Sequence, residues 1–230
     1  MLRHRPFVLW GADHLIVLGV LAAGVVLALT VGRRLPPHAD DTWRRATAMA
    51  LGINEGLSWF LATAAGEILI PLQLCDLALF FAIWSLWSPR AWRCELAYFW
   101  AMAGSVQAIM TPDLAYGFPD YWWMKFFAGH VGVVLSAVYL AATGRVEATH
   151  RSIWRVWAWS NVYVAAAALL NWSFGTNYGY LARKPMQPSL LDYFGPWPWY
   201  ILAVEVLALA SFYVYYAPFV IGRRWARHVT

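Results

Sequence analysis

The chain has 230 residues, of which 61% are apolar and only 13% charged, about half the charged share of a soluble domain. That composition excludes a disordered chain, and the apolar runs of roughly 17 to 20 residues exclude an ordinary water-soluble globule, because that length spans a bilayer as a helix. The net charge is +5, but the cations sit between apolar runs, so they report topology rather than a nucleic-acid partner.

Taken in chain order, seven helices are predicted, over His14 to Gly32, Trp43 to Ala64, Pro71 to Trp87, Arg93 to Ile109, Met124 to Thr143, Ser152 to Leu170 and Trp197 to Ile221. Pro71 reads as a first helical residue, and Thr111-Pro112 as a stop. Arg3 and Arg5 precede the first run as they would in a signal peptide. Asp13-His14 interrupts the start of that run and no small-x-small cleavage site precedes Arg33, so it reads as a retained helix. The expected fold class is all-α, a polytopic membrane helix bundle forming one integral membrane domain over residues 1–230.

With the N-terminus outside and the C-terminus inside, the inner segments hold twelve cations: Arg33, Arg34, Arg44, Arg45, Arg90, Arg93, Arg145, Arg151, Arg155, Arg223, Arg224 and Arg227. The outer segments hold five: Arg3, Arg5, Lys125, Arg183 and Lys184. This bias points to seven crossings of the cell membrane, N-terminus out and C-terminus in.

Polar residues inside a membrane are costly and mark function. Asp13 and His14 open the first span; Asn54 and Glu55 lie past the middle of the second; Cys75 and Asp76 open the third. Gln107 is near the end of the fourth, His130 in the second turn of the fifth, Asn171 closes the sixth, and Glu205 lies two turns into the seventh. All fall in the outer half. The inner halves read as nearly bare, with Glu95 beside Arg93 at the interface. A transporter needs access from both faces and a channel a polar lining throughout, so the pattern favours a pocket open to the outside or the outer leaflet.

The two cysteines lie at opposite faces, Cys75 outer and Cys94 inner, too far apart for a disulfide. Cys75 sits at a helix N-terminus, whose partial positive charge favours a thiolate, and His130 lies at similar depth. A nucleophile and base pair is one reading. The other is a small buried apolar residue, with the adjacent Asp76 opposing a thiolate. Asn171-Trp172-Ser173-Phe174-Gly175-Thr176-Asn177-Tyr178-Gly179-Tyr180-Leu181, followed by Arg183-Lys184-Pro185, combines amides with headgroup-level aromatics. Asn171 and Asn177 are candidates to donate to an oxyanion or headgroup, with Tyr178 beside them, and Arg183 and Lys184 to hold a phosphate. The plainer reading is an aromatic cap. Asp113 either faces the same pocket or simply belongs to a turn. Glu55 and Glu205 read as paired within the bundle, and His14 and Gln107 complete the polar set.

No His-Glu-x-x-His, phosphate-binding glycine loop or Gly-x-Ser-x-Gly is present, and of six histidines only His14 and His130 share a membrane surface, which disfavours haem. No metal and no cofactor is expected, no nucleic acid, and membrane lipids are the expected partners.

The segments Pro71-Leu72-Gln73-Leu74-Cys75-Asp76, Thr111-Pro112-Asp113-Leu114, Phe127-Ala128-Gly129-His130, the asparagine-tyrosine loop, Lys184-Pro185 and Gly195-Pro196-Trp197-Pro198-Trp199-Tyr200 occur in this order. Together they resemble the YwaF-like integral membrane protein family, the bacterial branch related to animal transmembrane protein 164. The resemblance implies an acyltransferase-type activity, in the animal branch a transfer of acyl groups between phospholipids by a cysteine and a histidine that fall on Cys75 and His130. Many relatives carry His where Gln73 stands. The expected function is a lipid acyltransferase or acyl hydrolase working through a thioester. The competing expectations are a lipid or small-ligand binding or transport protein without catalysis, and a structural subunit.

Overall fold

The computed structural model describes residues 5–67, 70–186 and 188–229. Arg3 lies outside the described residues, as does the side chain of Arg227. The described residues are all-helical apart from short turns of 3-10 helix and one isolated bridge, Pro6 to Tyr116. Seven long helices follow one another: α1 (Ala12–Thr30), α2 (Pro37–Ala64), α3 (Leu74–Trp87), α4, α5 (Tyr121–Ala142), α6 (His150–Phe174) and α7 (Trp199–Val229). Helix α4 runs Ala91–Trp100, passes through a π-helical segment Ala101–Ser105, and ends as Val106–Met110.

Helices α4 and α5 form the centre. Every residue from Arg93 to Ala101 is buried, and α4 packs against α3, α5 and α6. Helix α5 touches α1, α2, α3 and α4, while α7 packs against α6 and the π-helical segment. One apolar cluster gathers Ala82, Leu86, Phe99, Leu140, Ile153 and Phe212 from α3 to α7; a smaller one gathers Val17, Ile109, Trp123, Phe127, Val131 and Val134 between α1, α4 and α5. Small residues let α5 approach its neighbours. A Cβ on Gly132 would stand 2.6 Å from Leu51 Cδ2 of α2, and one on Gly24 of α1 2.7 Å from Leu135.

The outward surface is apolar. Ile53, Phe60, Val162, Leu169, Val206 and Val214 are all exposed. Patches of this extent are foreign to a soluble monomer and suit a hydrocarbon solvent. Three stretches combine length and hydropathy to cross a membrane: Ala12–Arg34, Tyr121–Ala142 and Trp199–Trp225. Helix α3 is apolar but has 14 residues, a rise of about 21 Å against a hydrocarbon core of about 30 Å.

Several expected boundaries move. Pro71 does not open α3. The helix begins at Leu74, because the Asp76 carboxylate accepts from the Gln73 backbone N–H at 2.9 Å and fixes Gln73 as its cap. Helix α2 begins at Pro37 rather than Trp43, with Pro at its first position. The end of the bundle that holds Arg44 is therefore not bare. Buried Asp40 pairs with Arg44 at 3.1 Å and Arg145 at 2.5 Å, and accepts from Tyr139 Oη at 2.5 Å. Arg44 donates onward to the Leu86 carbonyl. Glu95 pairs with Arg155 of α6, not with Arg93, whose guanidinium lies 4.2 Å from the Trp84 ring centroid. Residues two apart on a helix point away from each other, so Arg93 and Glu95 do not meet.

The Asp40 cluster fastens α2 to α5 and to the segment after α5. Replacing Asp40 leaves two cations without their buried partner, so Asp40→Ala lowers unfolding free energy by roughly 3 kcal/mol. Asp41→Ala loses the exposed contact to Arg45 and one to Arg44, but leaves Arg44 its Asp40 partner, and costs under about 1 kcal/mol. Denaturant titration of the two variants in detergent micelles checks the contrast.

Candidate functional site

At the opposite end of the bundle, the N-termini of α3 and α5 and the C-termini of α2 and α6 bring polar side chains together beneath the 175–198 loop. Cys75 is the second residue of α3 and is half-buried. Its helix N-terminus carries a partial positive charge that favours negative charge nearby, although the Gln73 and Asp76 N–H groups are taken up by the cap. Asp76 follows Cys75 in the chain and turns its carboxylate back to the Gln73 N–H.

His130 is half-buried on α5, and α5 packs against α3. Its Nδ1 lies 2.8 Å from the Phe126 carbonyl, and its ring stacks on Phe126 with centroids 4.1 Å apart. A carbonyl only accepts, so Nδ1 carries the proton of the neutral ring and Nε2 presents a lone pair. This arrangement orients the ring as a base. The same helix carries Lys125, which meets Glu55 of α2. Those two form an ion pair at 2.9 Å between α5 and α2, and Asn54 Nδ2 donates to the Lys125 carbonyl at 3.2 Å.

The loop is built by its own amides. Asn171 at the end of α6 accepts from Thr176 Oγ1 at 2.8 Å and Tyr178 N at 2.7 Å, and donates to the Tyr178 carbonyl at 3.0 Å. Asn177 accepts from Ala182 N at 3.1 Å and Arg183 N at 3.0 Å, and donates to the Arg183 carbonyl at 3.0 Å. Each amide nitrogen keeps one further N–H. The loop is tied down to α3 by Gly179 N, which donates to Gln73 Oε1 at 2.9 Å. Gly179 has φ +65°, and a Cβ there would stand 3.0 Å from Tyr163 Oη. Tyr163 reaches from α6 to donate to the Leu72 carbonyl at 3.1 Å. Tyr180 donates to Asp113 at 3.1 Å, and Tyr200 donates to the Tyr180 carbonyl. Burial, and then the charge and hydrogen bond of Asp113, hold the Tyr180 phenol well above the ordinary tyrosine range, so it stays a donor.

The remaining candidates lie around this centre. Arg183 is exposed; Lys184 stands 4.0 Å from Asp192 and 5.6 Å from the Tyr200 ring centroid. Glu205 accepts from Asn161 at 3.3 Å, and Gln107 donates to Thr111 Oγ1 at 3.0 Å. His14 is fully buried elsewhere, between Phe7, Trp10 and Phe127, with Nε2 2.8 Å from the Ile109 carbonyl and Nδ1 accepting from Trp10 N at 3.2 Å. Both its nitrogens are engaged in packing α1 onto α4. Among the described residues no group of three His, Cys, Asp or Glu side chains is placed to hold a metal ion.

From the sequence, Lys125 counted only as an outer cation, Gln73 and Tyr180 were met only within the quoted motifs with no contact assigned, and Tyr163 had no part. Lys125 already lay in the first turn of the helix expected from Met124, and the available signal was a lone cation at the start of an apolar helix.

An all-helical chain with an apolar exterior and a polar cluster at one end is a helical integral membrane protein. The family model of the TMEM164 family matches residues 9–216, and the chain belongs to that family. No curated protein and no solved structure matches the chain.

The Asn171 amide is the centre of the loop. Asn171→Ala accelerates hydrogen exchange at the Tyr178 amide at least tenfold, which corresponds to about 1.4 kcal/mol, while amides in the middle of α4 keep their protection. Exchange followed by mass spectrometry reads both.

Proposed function

We propose that this protein crosses the cell membrane seven times, N-terminus out, and acts as a lipid acyltransferase or acyl hydrolase whose nucleophile is Cys75 and whose base is His130. The observation that carries this reading is the orientation of His130: its Nδ1 is committed to Phe126, its Nε2 is free to accept, and its helix packs against the one that begins at Cys75. Family membership and the motif resemblance point the same way.

In this mechanism an acyl chain enters sideways from the outer leaflet. The Cys75 Sγ proton passes to His130 Nε2, and the thiolate attacks the ester carbonyl carbon of a phospholipid. As the C–O bond breaks, the leaving alkoxide takes the proton from His130, giving a lysophospholipid and a Cys75 thioester. A lysolipid hydroxyl or water, deprotonated by His130, then attacks the thioester carbonyl and regenerates the thiol. The partial positive charge of the α3 N-terminus stabilises the growing oxyanion. The loop of Asn171, Asn177 and Tyr178 shapes the mouth of the site, Asp76 and Asp113 hold its two sides through Gln73 and Tyr180, and Arg183 and Lys184 meet the phosphate of the headgroup.

Incubated with phospholipid, the wild-type protein gains the mass of an acyl group that hydroxylamine removes. Cys75→Ala gains none, and His130→Ala forms the adduct at least a hundredfold more slowly, within the range of a general base. Absence of the adduct and of lipid turnover across several headgroups contradicts the acyl-transfer reading and leaves a lipid-binding protein.

A further inference from the structure

Arg93, at the end of the bundle away from Cys75, is a shielded cation without an acid. It is the third residue of α4 and only 3% exposed. A guanidinium keeps its charge at any physiological pH. Both buried carboxylates of this end are engaged elsewhere, Glu95 with Arg155 and Asp40 with Arg44 and Arg145. Arg93 lies instead against two indoles, its guanidinium carbon 4.2 Å from the Trp84 ring centroid and 5.8 Å from that of Trp92. The two rings meet edge to face at 5.6 Å. Aromatic faces attract a cation but offer its N–H groups no lone pair. Among the described residues the buried Arg93 Nε has no hydrogen-bond partner. A charge and a donor left in that state are costly, and an anion from outside the chain relieves both.

The surroundings select the anion. Residues 88–90 join α3 to α4, and Arg90 is exposed at the N-cap of α4. No side chain caps that helix and no acid stands in its first turn, so its partial positive charge is unanswered. Beside the turn, Trp84 and Trp87 are exposed, and Arg45 lies 5.6 Å over the Trp87 ring. Arginines beside exposed indoles at the end of an apolar helix are the composition of a headgroup level. A small soluble anion leaves those indoles in water, whereas a phospholipid covers them and presents a phosphate that a guanidinium holds in bidentate fashion. The segments at this end carry twelve arginines and four carboxylates, Asp40, Asp41, Glu95 and Glu147, which favours a headgroup of net negative charge over a zwitterionic one. We infer that the α3–α4 turn binds an anionic phospholipid, its phosphate held by Arg93 with Arg90 and its glycerol region resting on Trp84 and Trp87. This site is separate from the Cys75 end and does not depend on the acyl-transfer reading.

The test uses the full chain in phosphatidylcholine nanodiscs doped with a phosphatidylglycerol whose photoactivatable diazirine lies next to the headgroup. Adducts are located by peptide mass. In the wild type, residues 80–100 are labelled roughly fivefold more by this lipid than by the matching phosphatidylcholine probe. Arg93→Gln lowers that labelling by roughly tenfold, while amides in the middle of α4 keep their exchange protection and labelling around Trp172, at the Cys75 end, is unchanged. Arg90→Gln, at an exposed position, lowers it by roughly threefold and decides the matter if Arg93→Gln does not fold. Equal labelling by the two probes overturns the inference, as does wild-type labelling in Arg90→Gln or in a folded Arg93→Gln. Loss of labelling on adding millimolar inorganic phosphate also overturns it, since that marks a site for a free anion.

Discussion

Helix α5 is bound to α2 by charge at two levels, and much of the molecule takes its register from that. Glu55 holds Lys125 near one end, and Asp40 holds Tyr139 and Arg145 near the other. Asp40 and Glu55 are fifteen residues apart, Lys125 and Tyr139 fourteen. At the rise of a helix both intervals come to about 21–23 Å, so two antiparallel helices meet both partners without strain. Between the two levels Gly132 lets Leu51 lie directly on the α5 backbone. Where water is scarce an unpaired charge is prohibitive, so a slip of one turn would cost two partnerships at once.

The site inherits its geometry from this arrangement. Helix α3 has only 14 residues, and the cap at Gln73 places Cys75 in its first turn. The loop that Asn171 and Asn177 organise is joined to the start of α3 by Gln73, which accepts from the Gly179 N–H. One side chain thus ties the roof of the site to its floor. The surrounding aromatics Trp172, Phe174, Tyr193, Trp197 and Trp199 remain exposed, as suits the headgroup level.

The helical class and the clustering of polar groups at one end were legible in the sequence, because apolar runs, stop signals and depth along each run are local properties. The place of Cys75 at a helix start and of His130 early in α5 was visible for the same reason. What escaped depended on where helices start. Trp43 seemed the natural opening of α2, yet Pro36-Pro37 followed by Asp40/Arg44 and Asp41/Arg45 at four-residue spacing marks an earlier one. Lys125 was counted only among the outer cations, although it lay in the first turn of the expected helix, because its partner Glu55 is on another helix. The partner of Glu95 lies 60 residues away on α6, a distance no local pattern encodes. The π-helical segment Ala101–Ser105 is a run of small residues and one Met that reads as ordinary helix, since it follows from packing. Asn171 and Asn177 drew attention as ligands; their bonds show them shaping the loop.

The central claim is that the thiol of Cys75 and the free nitrogen of His130 share one chamber. An experimental structure of the protein with an acyl group trapped on Cys75 tests it most directly. The account predicts His130 Nε2 within about 3 Å of Sγ or of the bound carbonyl's leaving position, with the acyl chain passing between helices toward the lipid. An Nε2 turned away behind Phe126, or a Cys75 side chain lying against a different helix face from His130, would contradict it.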